Sequence, residues 1–278
     1  MGRVISIVNQ KGGVGKTTTA VNLSSALARM GRKVLVVDID PQGNASSGLG
    51  VDKNGLEATL YDVFLGIFSL SSIIVGTAQN SLWVAPANMD LVGAEVELSG
   101  VPGREQRLKE QLVRLRSQFD YVFLDCPPSL GLLTLNARVA SDSVLVPLQC
   151  EYYALEGISA LMQTITLARQ ELNPSLDLEG VVLTMYDGRT NLARQVGSEA
   201  RKYFGNKVFD SVVPRNVRLS ECPSFGQPIF LYDEQSAGAE AYSSLALELE
   251  KKRNFVPAEG DEGEESGLDE PMVANRNF

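Results

Sequence analysis

The sequence predicts an α/β fold, a mostly parallel twisted β-sheet with helices on both faces. Short apolar runs typical of buried strands alternate with longer helical stretches along the chain. Several of these runs lead directly into a glycine-rich loop or a carboxylate. Open parallel sheets place their ligand sites at the carboxyl ends of the strands. The same pattern therefore predicts the fold and the edge of the sheet where its site lies.

A glycine-rich loop follows the first predicted strand. The apolar run Val4–Val8 precedes Lys-Gly-Gly-Val-Gly-Lys-Thr-Thr at residues 11–18, and helical composition runs from Thr18 to Met30. Glycines let backbone N–H groups face one concavity, and the helix adds the positive end of its dipole. The loop is predicted to bind a triphosphate through Gly12, Gly13, Val14, Gly15, Lys16, Thr17 and Thr18.

Two lysines flank the glycines of this loop. Lys16 is predicted to reach the β and γ phosphates, and Thr17 to offer its hydroxyl to magnesium. Lys11 lies five residues earlier, so the two ammonium groups are expected to approach from different directions. Gln10 stands where the general pattern has glycine, which makes the loop a variant. The alternative is a glycine-rich turn with two solvated lysines.

A second strand ends in two carboxylates. The run Lys33–Asp38 completes a strand, helix, strand unit and continues as Asp38-Ile39-Asp40-Pro41-Gln42-Gly43-Asn44. Asp40 is the better catalytic candidate of the two. The alternative is that Asp38 and Asp40 merely cap the following turn, because Asp before Pro and Gly is ordinary turn chemistry.

A third apolar strand, Tyr121–Asp125, also ends in a carboxylate and is followed by Cys126-Pro127-Pro128. This is the Walker B pattern. A phosphate-binding loop needs such an acid near magnesium, usually acting through a bound water. Asp125 is therefore predicted to lie beside the metal.

The remaining elements complete the predicted sheet and its helices. The segment 149–157 follows a strand at the same edge, where it either senses the nucleotide or seals the sheet or a dimer face. The further predicted strands are Leu82–Pro86, Ser143–Leu148, Gly180–Met185 and Lys207–Val213. The further predicted helices are Thr59–Leu65, Leu70–Val75, Asp90–Leu98, Arg104–Gln118, one ending near Leu172, one ending at Phe204, and Ala237–Lys252.

Composition excludes several classes of protein. The 278 residues are 44% hydrophobic, yet no apolar run approaches the about 20 residues that span a bilayer. With no signal-peptide pattern at its start, the chain is expected to be cytoplasmic. Three scattered cysteines are too few for a disulfide framework or a four-cysteine metal site. The absence of histidine removes histidine-based triads and metal ligands.

Charge divides the chain into two predicted regions, an ATPase domain at residues 1–254 and a disordered acidic tail at 255–278. The net charge is −9, and the tail alone holds seven acids and one arginine. Such a segment buries too little apolar surface to offset the entropy of ordering. The body is then only mildly acidic, which leaves DNA binding by a local basic face open.

The loop with its additional Lys11 resembles the deviant Walker A motif of the ParA/Soj and MinD ATPases, a SIMIBI-type group of P-loop NTPases. Further blocks look like the Soj branch of the chromosome-partitioning ParA family: residues 37–50, 124–136, 149–157, 184–196 and 213–224. The resemblance implies an ATP- and Mg²⁺-dependent ATPase that is weak alone. It also implies an ATP-sandwich homodimer that binds double-stranded DNA without sequence preference, is nucleoid-associated, and is stimulated by a ParB/Spo0J-type partner.

The resemblance also implies roles for individual residues. Lys11 would contact the partner subunit's nucleotide, and Asp40 would position the attacking water near magnesium. The implied catalytic residues are Lys11, Lys16 and Asp40, and the implied metal ligands are Thr17, Asp40 and Asp125. The implied adenine contacts are Pro214 and Asn216. The implied DNA contacts are Arg189 and Arg218. A solvated surface cation remains the alternative for each of these two arginines.

Two other functions share the loop. A MinD-like membrane-cycling regulator would need a C-terminal amphipathic helix, whereas this end is acidic. A metabolic P-loop ATPase would need further chemistry, such as paired cysteines in a cluster-binding pattern, which Cys126, Cys150 and Cys222 do not supply. The departures from the family pattern are the tail, Cys222 and Phe225, and none affects the loop.

Overall fold

The computed structural model describes residues 2–53, 55–151, 162–163, 165–170 and 172–254. Within these residues one seven-stranded sheet has the order β3-β4-β2-β5-β1-β6-β7. Every neighbouring pair is parallel except the short edge pair β3 and β4. The strands are β1 Arg3–Ile7, β2 Val34–Asp38, β3 Val75–Gly76, β4 Leu82–Ala85, β5 Tyr121–Asp125, β6 Ser143–Gln149 and β7 Asp177–Thr184.

Helices connect the strands. The helices used below are α1 Lys16–Arg29, α2 Asn44–Gly48, α3 Leu60–Leu65, α4 Leu70–Ile73, α5 Leu91–Glu97, α6 Arg107–Leu115, α7 Leu132–Ala140, α8 Asn191–Phe204, α9 Val217–Glu221, α10 Ile229–Tyr232 and α11 Ala237–Asn254. Residues 165–170 are also helical. Single 3-10 turns occupy Arg104–Gln106, Arg116–Gln118, Gly205–Lys207 and Cys222–Phe225.

The sheet has an apolar core on each face, because successive strand residues point to opposite sides. Val122 and Leu124 of β5 belong to the core that α6, α7 and α8 also enter. Tyr121 and Phe123 of the same strand belong to the other core, formed with α1 and α11. The predicted α/β fold, with a mostly parallel sheet and helices on both faces, is confirmed.

A β-bulge shapes the edge strand β7. Val144 of β6 pairs with Leu178 and the next residue pairs with Gly180, so Glu179 is the extra residue. Its buried carboxylate accepts a hydrogen bond from Ser143 Oγ at 2.6 Å and pairs with the Arg3 guanidinium at 2.6 Å. β7 begins at Asp177, which pairs with the first residue of β6, three residues before the predicted Gly180.

Several predicted elements need correction. Residues 207–213 form no strand; they contact β7 through an isolated bridge at Val208 and through hydrogen bonds from Phe209 N and Val213 N. The helix α7 and the antiparallel strand β3 were not expected. The predicted segment 152–157, the start of the helix after it and the tail at 255–278 lie outside the described residues. None of the helices in the described part of the chain is long and apolar enough to cross a membrane.

Gly180 leaves no room for a side chain at the edge of the sheet. A Cβ there would lie 2.5 Å from Phe209 Cε2 and 2.6 Å from the Lys207 backbone oxygen. We expect Gly180→Ala to lower the free energy of unfolding by about 1 to 3 kcal/mol, measured by urea denaturation, because overpacking displaces this segment. Gly76→Ala is the matched control, since a Cβ on that strand residue meets nothing within 4 Å. Equal losses in both variants would contradict the packing argument.

Candidate active site

The loop between β1 and α1 turns on two glycines with left-handed backbone. Gly13 has φ of 74° and Gly15 has φ of 93°, a region that side chains with a Cβ rarely adopt. Gly15 is also the residue that precedes the first turn of α1, so the free N–H groups of the helix start at the loop. The fourteen residues of α1 therefore direct their dipole toward the same concavity.

Neighbouring strand ends hold this loop from behind. Thr184, the last residue of β7, donates its hydroxyl hydrogen to the Val14 carbonyl at 2.8 Å. Asn9 accepts from the Lys11 backbone N–H at 3.0 Å and donates to the Pro147 carbonyl at 2.8 Å. The sequence analysis did not single out Thr184 or Asn9. Their positions at or just past strand ends were the available signal.

Lys16 lies between the loop and the acidic strand ends. Its side chain is largely buried, and its ammonium group donates to the Lys11 backbone carbonyl at 3.1 Å. Burial lowers the pKa of Lys16, and the carboxylates of Asp125 and Asp40 oppose that shift. A partly desolvated ammonium group at this position favours an anionic ligand.

Asp125 is a buried carboxylate that the fold leaves without a partner. It ends β5, beside Ile7 of β1 and Asp38 of β2. Neither carboxylate oxygen of Asp125 has a donor with hydrogen-bond geometry among the described residues. Burial raises the pKa of Asp125 well above its usual value and the adjacent Asp38 carboxylate raises it further, while the nearby Thr17 hydroxyl and the Lys16 ammonium group oppose the shift. An orphaned acid of this kind fits a site that a cation completes.

The two carboxylates after β2 have different surroundings. Asp38 is fully buried, and its Oδ2 accepts from both the N–H and the hydroxyl of Ser46 at 2.7 Å. Burial raises the pKa of Asp38 to about 6. Asp40 is half-buried, and its Oδ1 accepts from the Gln42 N–H at 2.9 Å. Asp38 therefore acts as the cap of the following turn, as the alternative interpretation expects. Asp40 also accepts one hydrogen bond from this turn, through Oδ1.

Asp40 also lines an open cleft of about 560 Å³ in front of the loop. Lys16, Thr17, Pro127 and Met185 line the same cleft, so the predicted loop, Asp40 and the segment after β5 meet at one place. Among the described residues there is no cluster of three or more cysteine or acidic side chains that would hold a metal alone. Magnesium in such a site takes ligands from phosphate oxygens and water as well as from protein.

A second cavity of about 290 Å³ adjoins the loop and brings Pro214 and Asn216 together. The Asn216 side-chain oxygen accepts from the Leu219 N–H at 3.2 Å and caps α9, which leaves its amide N–H groups for other partners. Met185 lines this cavity as well as the cleft and has a left-handed backbone with φ of 48°. The two spaces therefore share a wall.

The other three cations predicted as site residues, Lys11, Arg189 and Arg218, each form an ion pair with a nearby carboxylate. Lys11 Nζ lies 2.7 Å from Glu151 Oε2, and both side chains are about half exposed. Arg189 is 91% exposed and donates to both carboxylate oxygens of Asp187 at 2.7 and 2.8 Å. Arg218 pairs with Glu221 and Asp233 at 3.0 and 3.2 Å. No contact in the described part of the chain joins Arg189 to Arg218.

Comparison with known proteins places this site in a family. A family model described as AAA domain matches residues 2–178. The chromosome partitioning protein ParA of Myxococcus xanthus is 56% identical over 252 residues, which cover 91% of this chain and 89% of that protein. The sporulation initiation inhibitor protein Soj of Bacillus subtilis is 56% identical, with 90% and 98% covered. The chain belongs to the ParA/Soj family.

A solved structure has the same architecture as this chain. Cobyrinic acid a,c-diamide synthase from Mycobacterium smegmatis, with bound ADP and magnesium, has a TM-score of 0.81 and 39% identity. The match covers 92% of this chain and all of the other. A shared fold does not by itself decide the function. The family assignment therefore rests on the higher identity to the ParA and Soj proteins.

The hydroxyl of Thr184 gives a test of the support behind the loop. Thr184→Val leaves the Val14 carbonyl without its buried partner, so we expect a loss of about 1 to 3 kcal/mol in the free energy of unfolding. We also expect weaker Mg-ATP affinity, measured by titration calorimetry. Thr184→Ser keeps the hydroxyl and should retain most of the affinity. Similar affinities for the valine and serine variants would show that the hydroxyl does not support the loop.

Proposed function

We propose that this chain is an ATP-dependent DNA-segregation ATPase. One observation carries the chemistry: a glycine loop with the buried Lys16 stands beside Asp125, a carboxylate without a partner. Membership in a family that includes the chromosome partitioning protein ParA of Myxococcus xanthus, at 56% identity, supports the role in segregation. ATP and Mg²⁺ are the cofactors, as expected from the loop and from a structural neighbour that holds ADP and magnesium.

Thr17 and Asp125 are the residues that would hold magnesium, with Asp40 nearby. Magnesium binds oxygen ligands and keeps several waters, and the two free oxygens of Asp125 suit a metal-bound water. The ion neutralises charge that develops between the β and γ phosphates. Thr17 lines the cleft at the first turn of α1, which puts a hydroxyl oxygen on the same side of the loop.

The chain's own groups act by position and charge. Lys16 and the loop N–H groups bind the phosphate oxygens, while Asp40 at the wall of the cleft orients the attacking water. Pro214 and Asn216 contact the adenine in the adjoining cavity. Since the chain has no histidine to act as a base, hydrolysis by the isolated protein should be slow.

Lys11 is the group proposed to act on a second protomer. Its ammonium group pairs with the exposed Glu151 and not with a residue of the cleft, so it stands at the outer side of the loop. In an ATP-sandwich homodimer this lysine would exchange Glu151 for the partner subunit's nucleotide. A ParB/Spo0J-type partner would then accelerate hydrolysis and separate the protomers.

DNA binding is proposed to use exposed cations on a surface that dimerisation doubles. Arg189 and Arg218 are both exposed, and each would exchange its local carboxylate for a phosphate. Such binding has no sequence preference and weakens steeply with salt, with a log–log slope near −0.9 for each phosphate neutralised. The protein would then be associated with the nucleoid when ATP is bound.

Removing the charge of Asp125 should separate stability from magnesium binding. We expect Asp125→Asn to raise the free energy of unfolding without ligand, because a buried carboxylate without a partner is costly. Urea denaturation measures this change. In titrations with and without EDTA, the variant should lose the gain in ATP affinity that Mg²⁺ gives. Asp120→Asn, at the opposite end of β5, is the control and should keep that gain. An Asp125 variant that keeps it would exclude this residue from the metal site.

The segregation mechanism predicts DNA binding that depends on the nucleotide. In gel shifts with ADP, ATP and a slowly hydrolysed analogue, the intact chain should retain DNA only with ATP or the analogue. Asp40→Ala should keep this binding because it impairs hydrolysis alone, whereas Arg189→Ala should lose it. Lys33→Ala, a cation far from the loop, serves as the control for loss of charge. Equal retention with ADP and ATP would overturn the proposal, and sedimentation of the ATP form with liposomes would favour a membrane-cycling regulator.

A further inference from the structure

A basic cavity lies at the opposite end of the sheet from the loop. It measures about 460 Å³ and is formed by the amino ends of β1 and β7, the turn after α8 and the last turn of α11. The charged residues that line it are Arg3, Glu179, Lys207, Lys251 and Lys252. Four cations therefore face this space with one carboxylate, and the proposed ATPase cycle uses none of them.

Internal contacts position most of these cations. Arg3 pairs with the buried Glu179 of the bulge at 2.6 Å. Lys207 lies 2.8 Å from Asp177 and donates to the Leu178 carbonyl at 2.7 Å. These contacts use two of the three donors of the Lys207 ammonium group and leave one that still needs an acceptor.

The last turn of α11 supplies the other two lysines. Lys252 lies over the Phe209 ring, 3.9 Å from its centroid, and 3.7 Å from Glu248. Lys251 is exposed and has no ion pair within the described ranges. Lys252 also donates to the Asn206 carbonyl at 3.3 Å. Three of the four cations are thus paired with a carboxylate, and Lys251 supplies the surplus positive charge of the cavity.

The chain itself carries a complementary segment next to this cavity. Residues 255–278 follow α11 directly and hold seven acids against one arginine. Glu259, Asp261 and Glu262 come seven to ten residues after Lys252. A chain of that length spans up to about 25 to 35 Å, so these acids are within reach of the cavity. Tethering raises their local concentration to the millimolar range.

We propose that the acidic stretch 259–265 occupies the basic cavity of its own chain. Its carboxylates would pair with Lys251 and with the remaining donors of Lys207 and Lys252. While the stretch is bound, these cations are closed to other anions, nucleic-acid phosphates included. The pairing is electrostatic and partly exposed, so it should weaken as salt rises. It does not depend on the proposed function.

Zero-length carbodiimide crosslinking tests this contact. The reagent joins a carboxylate and an amine only when they touch, and Lys207 is far in sequence from the acidic stretch. We expect isopeptide bonds between Lys207 and residues 259–265 in the monomer fraction at low salt, detected by mass spectrometry and lost at high salt. Lys202 is the matched control, since its side chain is 71% exposed but does not line the cavity. Equal yields at Lys207 and Lys202 would overturn the proposal.

A second measurement uses acetylation of lysines. In a chain of unchanged length, Glu259, Asp261, Glu262, Glu264 and Glu265 are replaced by the corresponding amides. The acetylation rate of Lys207 should then rise severalfold, while that of Lys202 stays constant. An unchanged rate at Lys207 would refute the contact. Protection of Lys207 by added duplex DNA, equal with and without the acidic residues, would instead make the cavity a nucleic-acid site. Neither measurement uses ATP hydrolysis, so failure here leaves the proposed function untouched.

Discussion

The candidate site depends on one carboxylate that is buried without a hydrogen-bond partner. Parallel pairing of β5 between β1 and β2 fixes Asp125 beside both Ile7 and Asp38, at the edge where the loop begins. The burial that makes this position costly also strengthens its attraction for the Lys16 ammonium and for a cation. Stability is given up at this point, as is common where a protein binds a charged ligand.

The loop is part of a wider arrangement of strand ends. Thr184 of β7 and the Pro147 carbonyl of β6 hold the loop through Val14 and Asn9. Met185 comes next in the chain and lines both the cleft in front of the loop and the adjoining cavity. The phosphates and the base of a nucleotide would therefore contact segments that are joined through Thr184 and Met185. For this reason a change at Thr184 is expected to alter nucleotide affinity.

The sequence predicted what depends on local pattern. The glycine loop, Asp40, Asp125 and the parallel strands all follow from neighbouring residues. The loop and Asp40 line one cleft, and Asp125 is buried at the end of β5, beside Asp38. What it did not predict depends on pairing between distant segments. Thr184 is recognisable as support only once β7 is placed behind the loop, and the bulge at Glu179 only once β6 and β7 are aligned. Residues 207–213 have strand-like composition, but their pairing with β7 is limited to scattered contacts.

The left-handed backbone at Met185 limits which residues this position tolerates. Hydrogen bonds on either side, from Tyr186 N to Val213 O and from Val213 N to Leu183 O, fix the chain there. A non-glycine residue in this conformation costs about 1 to 3 kcal/mol, and β-branched side chains fit it worst. Asparagine and glycine would fit the backbone but would remove the thioether side chain from the shared wall. Acceptable substitutions at residue 185 are therefore set by two separate demands, one from backbone shape and one from the ligand space, and few side chains meet both.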